Sequence, residues 1–273
     1  MKKTIVMLLA LCMVFALCAC GQTAAPAPAP AEAEPTTFTM GIDPEYPPFS
    51  YLGDDGSYTG FDVEVCQAVC DSLGWKLEIF PVNWDQKLVQ LDSNECDCVW
   101  SGMTILPSMK EAGYQISEPY YYNTQVLVVK ADSGYSSSAD LAGKVVAVQL
   151  GTSGEALLGE DGDLAELSAT FSSVLTCDSF LKCFTELEGG AVDAVFVDMP
   201  VAASYVAEHE GLSIIDENLG AEQYGIAFRS GDAELCKQVD EAVQALVADG
   251  TYAKIAEKPE YSEIIENLIF LSK

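Results

Sequence analysis

The chain has 273 residues, 49% of them hydrophobic, and carries 42 acidic against 13 basic side chains, a net charge of −29. So acidic a protein is repelled by nucleic acid and by anionic membrane surfaces, which excludes both as partners. The length exceeds what one small hydrophobic core usually fills and suits a chain folded in two parts.

Lys2 and Lys3 precede an apolar run from Ile5 to Ala19 that is too short to span a bilayer comfortably and is shaped like the core of a secretion signal. Residues 1–19 are therefore expected to be a signal peptide. The run ends Leu17-Cys18-Ala19-Cys20-Gly21, which resembles a bacterial lipobox. That resemblance implies lipidation of Cys20 and a protein held at the outer face of the cytoplasmic membrane; a plain signal peptide cut nearby is the competing reading. Thr23 to Pro35 alternates Ala, Pro and Glu, a composition that stays extended and solvated, so residues 20–35 read as a stalk. Loss of residues 1–19 removes two lysines, leaving 11 basic against 42 acidic residues, net −31.

From Thr36 onward, strand-like and helix-like segments alternate. Phe38 to Ile42 reads as a strand, Phe61 to Leu73 as a helix stopped by Gly74, and Lys76 to Val82 as a strand. Trp84 to Leu91 reads as a helix, Asp97 to Ser101 as a buried strand, and Thr124 to Lys130 as another. After the Ser- and Gly-rich stretch from Ala131 to Ser138, a second alternating unit runs through strands at Lys144 to Leu150 and Ala194 to Val197. Its helices are Thr152 to Leu158, Phe180 to Leu187 and Pro200 to Ala207. A strand at Tyr224 to Phe228 and helices at Ala233 to Ala248 and Thr251 to Glu257 complete the chain. Alternation of this kind predicts parallel α/β sheets flanked by helices.

Of ten cysteines, three lie in or at the end of the signal; Cys66, Cys70, Cys96, Cys98, Cys177, Cys183 and Cys236 remain, an odd number that leaves at least one unpaired within the chain. Cys66 and Cys70 share one helix face, and Cys96 and Cys98 alternate along a strand, so they read as small core residues. Neither spacing suits zinc, and no metal or cofactor is expected.

Several short motifs occur in order: Asp43-Pro-Glu-Tyr46-Pro-Pro-Phe49, Gly60-Phe61-Asp62, Ser101-Gly102-Met103-Thr104-Ile105 and Glu118-Pro119-Tyr120. Val148-Gln149-Leu150-Gly151-Thr152-Ser153, Asp193 to Pro200, Gln223 to Ala227 and Asp249-Gly250-Thr251-Tyr252 follow. Together they resemble the extracellular solute-binding proteins of family 3, the amino-acid receptors of ABC importers. The resemblance implies a two-lobed, periplasmic-binding-protein-like fold of type II, with two crossover segments forming a hinge near Asn123 to Val128 and Ala221 to Gly225. Lobe one is expected to comprise residues 36–125 and 224–273, and lobe two residues 126–223. Closure around a ligand is the motion such a hinge permits.

The resemblance further implies ligand contacts from Asp43, Tyr46, Trp84, Ser101, Gly102, Thr104, Met109, Gln149, Thr152, Ser153 and Asp198. Asp198 ends a buried-looking strand, where open α/β sheets place ligands, and would take an ammonium; a helix N-cap is its alternative role. Tyr46 and Trp84 would wall the ligand, whereas Trp100 suits the core. The family's carboxylate clamp is an arginine in Thr-Pro-Glu-Arg, and here those slots read Leu106-Pro107-Ser108-Met109. Backbone N–H groups at Gly151 to Gly154 and the hydroxyls of Ser101 and Thr104 could hold a carboxylate without it. Lys110 points elsewhere on its helix, and rescue from a distance by Lys87 or Arg229 has no support in the sequence. A cleft lined by Asp43, Glu45 and Asp198 therefore favours a cationic or amine-bearing ligand.

The expected function is capture of a small polar amino acid or amine for an ABC permease, by a monomer. The alternatives are a ligand sensor without a transport role and a dehydratase-like enzyme on the same fold. The sole histidine, His209, lies between glutamates at a helix end, and neither a nucleophile elbow nor a phosphate loop is present, which argues against catalysis.

Overall fold

The computed structural model describes residues 35–272. The signal peptide, Cys20 and all but the last residue of the stalk lie outside them.

The first part begins with β1 (Thr37–Ile42), followed by a small antiparallel sheet of β2 (Glu45–Tyr46), β3 (Ser50–Leu52) and β4 (Tyr58–Thr59). α1 (Phe61–Leu73) buries Phe61, Val65, Cys66, Val69 and Cys70, the i, i+4 face that its sequence spacing dictates, and ends where Gly74 turns left-handed. β5 (Lys76–Pro81) pairs parallel with β1. Trp84–Gln86 forms a 3-10 turn running into α2 (Lys87–Asp92), where the sequence suggested one continuous helix. β6 (Cys98–Thr104) is buried up to its last residue, the half-buried Thr104, and also pairs parallel with β1. α3 (Pro107–Glu111) and β7 (Gln115–Ile116) lead to β8 (Tyr121–Lys130).

The second part is built from β9 (Val145–Gln149), α4 (Ser153–Leu158), α5 (Ala165–Ser168), β10 (Ser173–Cys177), α6 (Phe180–Gly189), β11 (Ala194–Asp198), α7 (Met199–Glu208) and β12 (Leu212–Ile215). β9 lies between β10 and β11, parallel to both. The chain then runs back through β13 (Ala221–Phe228), α8 (Ala233–Asp249) and α9 (Thr251–Ala256).

The strand order is β10-β9-β11-β8-β13-β6-β1-β5. β8 changes partner along its length. Residues Tyr121 to Thr124 pair antiparallel with β13, whereas Gln125 to Val129 pair antiparallel with β11. β13 in turn pairs with β6 from Tyr224 onward. β8 and β13 are thus neighbouring strands that cross between the two halves, the arrangement of a two-lobed binding protein with a paired hinge. The ends of β6, β9 and β11 meet at this crossing, so the carboxyl ends of parallel strands from both halves face one another.

All seven remaining cysteines are buried and unbridged. Cys98 packs in the main core with Cys66 and Cys70, whereas Cys96 packs with Val82, Trp84 and Leu91. Two positions apart in one strand they would share a face, and they separate because Cys96 precedes β6, which corrects the expectation that both alternate along a strand.

Candidate ligand-binding cleft

A cavity of about 110 Å³ lies between the halves, lined from one side by Tyr46, Trp84, Lys87, Gly102, Thr104 and Met109 and from the other by Gly151, Thr152, Ser153 and Asp198. Tyr46, Thr104 and Asp198 are the last residues of β2, β6 and β11, and Gly151 to Ser153 follow the end of β9.

Asp198 is the last residue of β11 and is buried. It occupies the N-cap position of α7 but accepts no capping bond, so its carboxylate is free for other donors. Asn123 Nδ2 (2.6 Å), Gln125 Nε2 (2.9 Å) and Tyr224 OH (2.8 Å) all donate to its Oδ1. The same two amides donate to Glu222 Oε1 at 2.6 and 2.8 Å, which brings a second carboxylate to the site from β13. Burial, then repulsion from Glu222, pushes the Asp198 pKa well above the usual carboxylate range. The buried amide oxygens of Asn123, Gln125 and Gln149 have no donor among the described residues.

Asp43 and Gln149 are brought together, but not in this cavity. Gln149 Nε2 donates to Asp43 Oδ2 across the halves at 2.7 Å. The pair borders a neighbouring cavity of about 290 Å³ with Glu45, Trp84 and Asp178. Burial raises the Asp43 pKa, and the bond from Gln149 offsets part of that rise.

Ser101 departs from its expected role. Its hydroxyl accepts from Asp43 N at 3.0 Å and pairs with Ser50 Oγ, so it braces the β1–β6 junction and does not line the cavity. Thr104 does line it, donating to Ser153 Oγ across the halves at 3.2 Å.

The loop before α4 offers an anion less than its sequence suggests. Thr152 Oγ1 donates to Gln149 O (2.7 Å) and caps Glu155 N (3.1 Å). Glu155 Oε2 in turn accepts from Gly151 N at 2.7 Å. A carboxylate of the chain already takes one of these amides.

Met109 lines the cavity yet packs in an apolar cluster with Trp84, Leu91 and Met103, so hydrocarbon fills the clamp position. Trp84 and Tyr46 form the aromatic walls. Tyr46 OH meets Tyr224 OH at 2.7 Å and the ring packs edge-on to Tyr224. Trp100 belongs to the core beside Tyr120.

Lys87, set aside in the sequence, lines the cavity. Its Nζ lies 4.7 Å from the Trp84 ring centroid and donates to Trp84 O (3.1 Å) and, across the cleft, to Gly151 O (2.7 Å). The available signal was its place one helical turn after Trp84. Arg229 is elsewhere, held by Asp97, Asp232 and the carbonyls of Leu91 and Cys96.

The family model of the bacterial extracellular solute-binding proteins, family 3, matches residues 38–259. The chain belongs to that family. The L-cystine-binding protein TcyJ of Escherichia coli (strain K12) is 35% identical over 225 residues, covering 81% of this chain and 82% of that protein. The arginine-binding extracellular protein ArtP of Bacillus subtilis (strain 168) is 31% identical, covering 94% of this chain and 98% of its own. Among solved structures, an ancestral arginine-binding protein bound to arginine superposes with a TM-score of 0.74 at 36% identity, over 81% of this chain and 97% of that one. A substrate-binding protein of a Streptococcus pneumoniae ABC uptake transporter with bound histidine gives 0.75 at 26% identity, over 81% and 91%. As a member of family 3, the chain is a solute-binding receptor on a two-lobed α/β fold.

Proposed function

We propose that this receptor captures an amino acid or similar amine-bearing solute in the cavity between its halves and presents it to an ABC permease. The observation that carries this reading is Asp198. Its buried carboxylate forms part of the cavity wall, stands beside Glu222, and has a raised pKa that an incoming ammonium would bring down. Thr104, Gly102, Tyr46, Trp84, Met109, Thr152 and Ser153 supply the walls, and Asp43 with Gln149 stands ready beyond Trp84 for a longer ligand.

Closure is the working motion. Residues 36–125 with 224–273 form one lobe and residues 126–223 the other, turning about β8 and β13. The protein works as a lipid-anchored monomer outside the cytoplasmic membrane, tethered through Cys20, and performs no catalysis. His209 supports that last point, since its ring stacks on Tyr205 at 3.8 Å at the end of α7, away from the cavity.

The test is calorimetric titration of the protein without residues 1–19, and of Asp198→Ala, with amino acids and amines. Asp198→Ala should abolish binding while its unfolding midpoint stays at or above that of the parent. Retained affinity in the variant would remove the ammonium site from the reading.

A further inference from the structure

Among the described residues, Lys87 is the one basic side chain in the cavity wall. It begins α2, three positions after Trp84, so one helical turn lays its stem along the indole. Two of its three N–H groups are used, both on neutral carbonyls. It belongs to none of the ion pairs among the described residues, although Asp85, Asp43 and Glu155 are near enough to act on its charge. Burial lowers its pKa to about 8 against the pull of those three acids, the condition of a cation that has lost water and gained no counter-ion.

The cavity therefore has one anion, Asp198, from one half and one cation, Lys87, from the other. A zwitterion needs both. The clamp slot itself is occupied by Met109 and its apolar neighbours, so the positive charge arrives from α2 instead of α3.

We propose that Lys87 is the carboxylate anchor of this receptor, so that the ligand is an amino acid keeping both its ammonium and its carboxylate. The proposal rests on the receptor reading above. The carboxylate takes the unused N–H of Lys87. Because the same ammonium group holds Gly151 O across the cleft, the acid group of the ligand is tied directly to the closing contact.

Titration calorimetry of the protein without residues 1–19 tests this, with the standard amino acids and L-cystine each set against its decarboxylated amine. At least one amino acid is expected to bind about tenfold or more tightly than its amine. Lys87→Met should weaken that amino acid about ten- to a hundredfold more than it weakens the amine, because loss of the Gly151 contact bears on both ligands whereas loss of the charged hydrogen bond bears on the acid alone. A second reading uses the parent protein alone: its preference for the acid over the amine should fall away above pH 8 or so, as Lys87 loses its proton. Equal affinity of parent and Lys87→Met for the amino acid overturns the proposal, as does equal or tighter binding of amines while the receptor reading stands. Binding of no probe of either kind overturns the receptor reading, and the proposal with it.

Discussion

The main chain of Gly151 lies against that of Asp85 across the cleft, so closely that a Cβ on the glycine would stand 2.6 Å from the Asp85 Cα. Gly151 also has φ +74°, a conformation that other residues adopt at a cost. Residues 84–87 and 151 form the rim where the halves touch, and the Lys87 to Gly151 hydrogen bond sits on that contact.

Gly151→Ala should therefore oppose closure more than folding. Neither atom of the clash is the end of a flexible side chain, so the halves must separate to relieve it. Ligand affinity is expected to fall at least about tenfold, equivalent to about 1.4 kcal/mol. Small-angle scattering should show the variant staying more open with ligand present; unchanged affinity would mean that the rim tolerates a Cβ at Gly151 in the closed receptor.

Binding should follow a bell-shaped pH profile. On the alkaline side, free Lys87 loses its charge near pH 8, because burial lowers its pKa. On the acid side, Asp198 takes up a proton at a pH above the usual carboxylate range, because burial and Glu222 raise its pKa, and a protonated carboxyl no longer attracts an ammonium. Glu222→Gln should shift the acid limb to lower pH, since it removes the like charge while keeping an acceptor for Asn123 and Gln125. Affinity measured across pH 4 to 10 for both proteins checks this; an acid limb that does not move argues against carboxylate coupling.

Much of this architecture is legible in the residues. α1 could be read because its apolar positions repeat on one face and Gly74 ends it, and β11 because a fully buried strand is an unbroken apolar run. β10 is not legible: Ser173-Val-Leu-Thr-Cys177 forms an edge strand, largely exposed and without the apolar signal. The two-residue strands around Tyr46 are too short to leave a period. In the cleft, Asp198 could be located from the end of its strand. Lys87 is legible only as one helical turn after Trp84, since its contact across the cleft is with Gly151, 64 residues further on, and Glu222 reaches Asp198 only through the pairing of the two crossing strands.

Gly102 should resist substitution for a different reason from Gly151. It sits inside β6 at φ +52°, and a Cβ would come 2.3 Å from Tyr46 Cε1. Gly102→Ala combines backbone strain with a clash against a buried ring, together about 2–4 kcal/mol of stability. Urea denaturation without ligand measures it. Because Tyr46 also walls the cavity, affinity should fall in the same variant.

Asp62 holds the Gly102 backbone in place and makes folding stability depend on pH. Its Oδ2 accepts from Gly102 N at 2.8 Å and from Tyr120 OH at 2.7 Å, and burial raises its pKa from 3.8 to about 7. Between those values the folded protein keeps a proton that the unfolded chain has released. The contribution is thus fully present below about pH 4 and is lost as pH rises towards 7. Asp198 and Asp43 shift in the same direction, so the parent should lose stability over this range through several groups. Asp62→Asn keeps an oxygen acceptor for Gly102 N but cannot titrate, so its unfolding midpoint should fall less steeply between pH 4 and 7 than that of the parent. Parallel curves for the two proteins would show that Asp62 ionises in the fold as readily as in the unfolded chain.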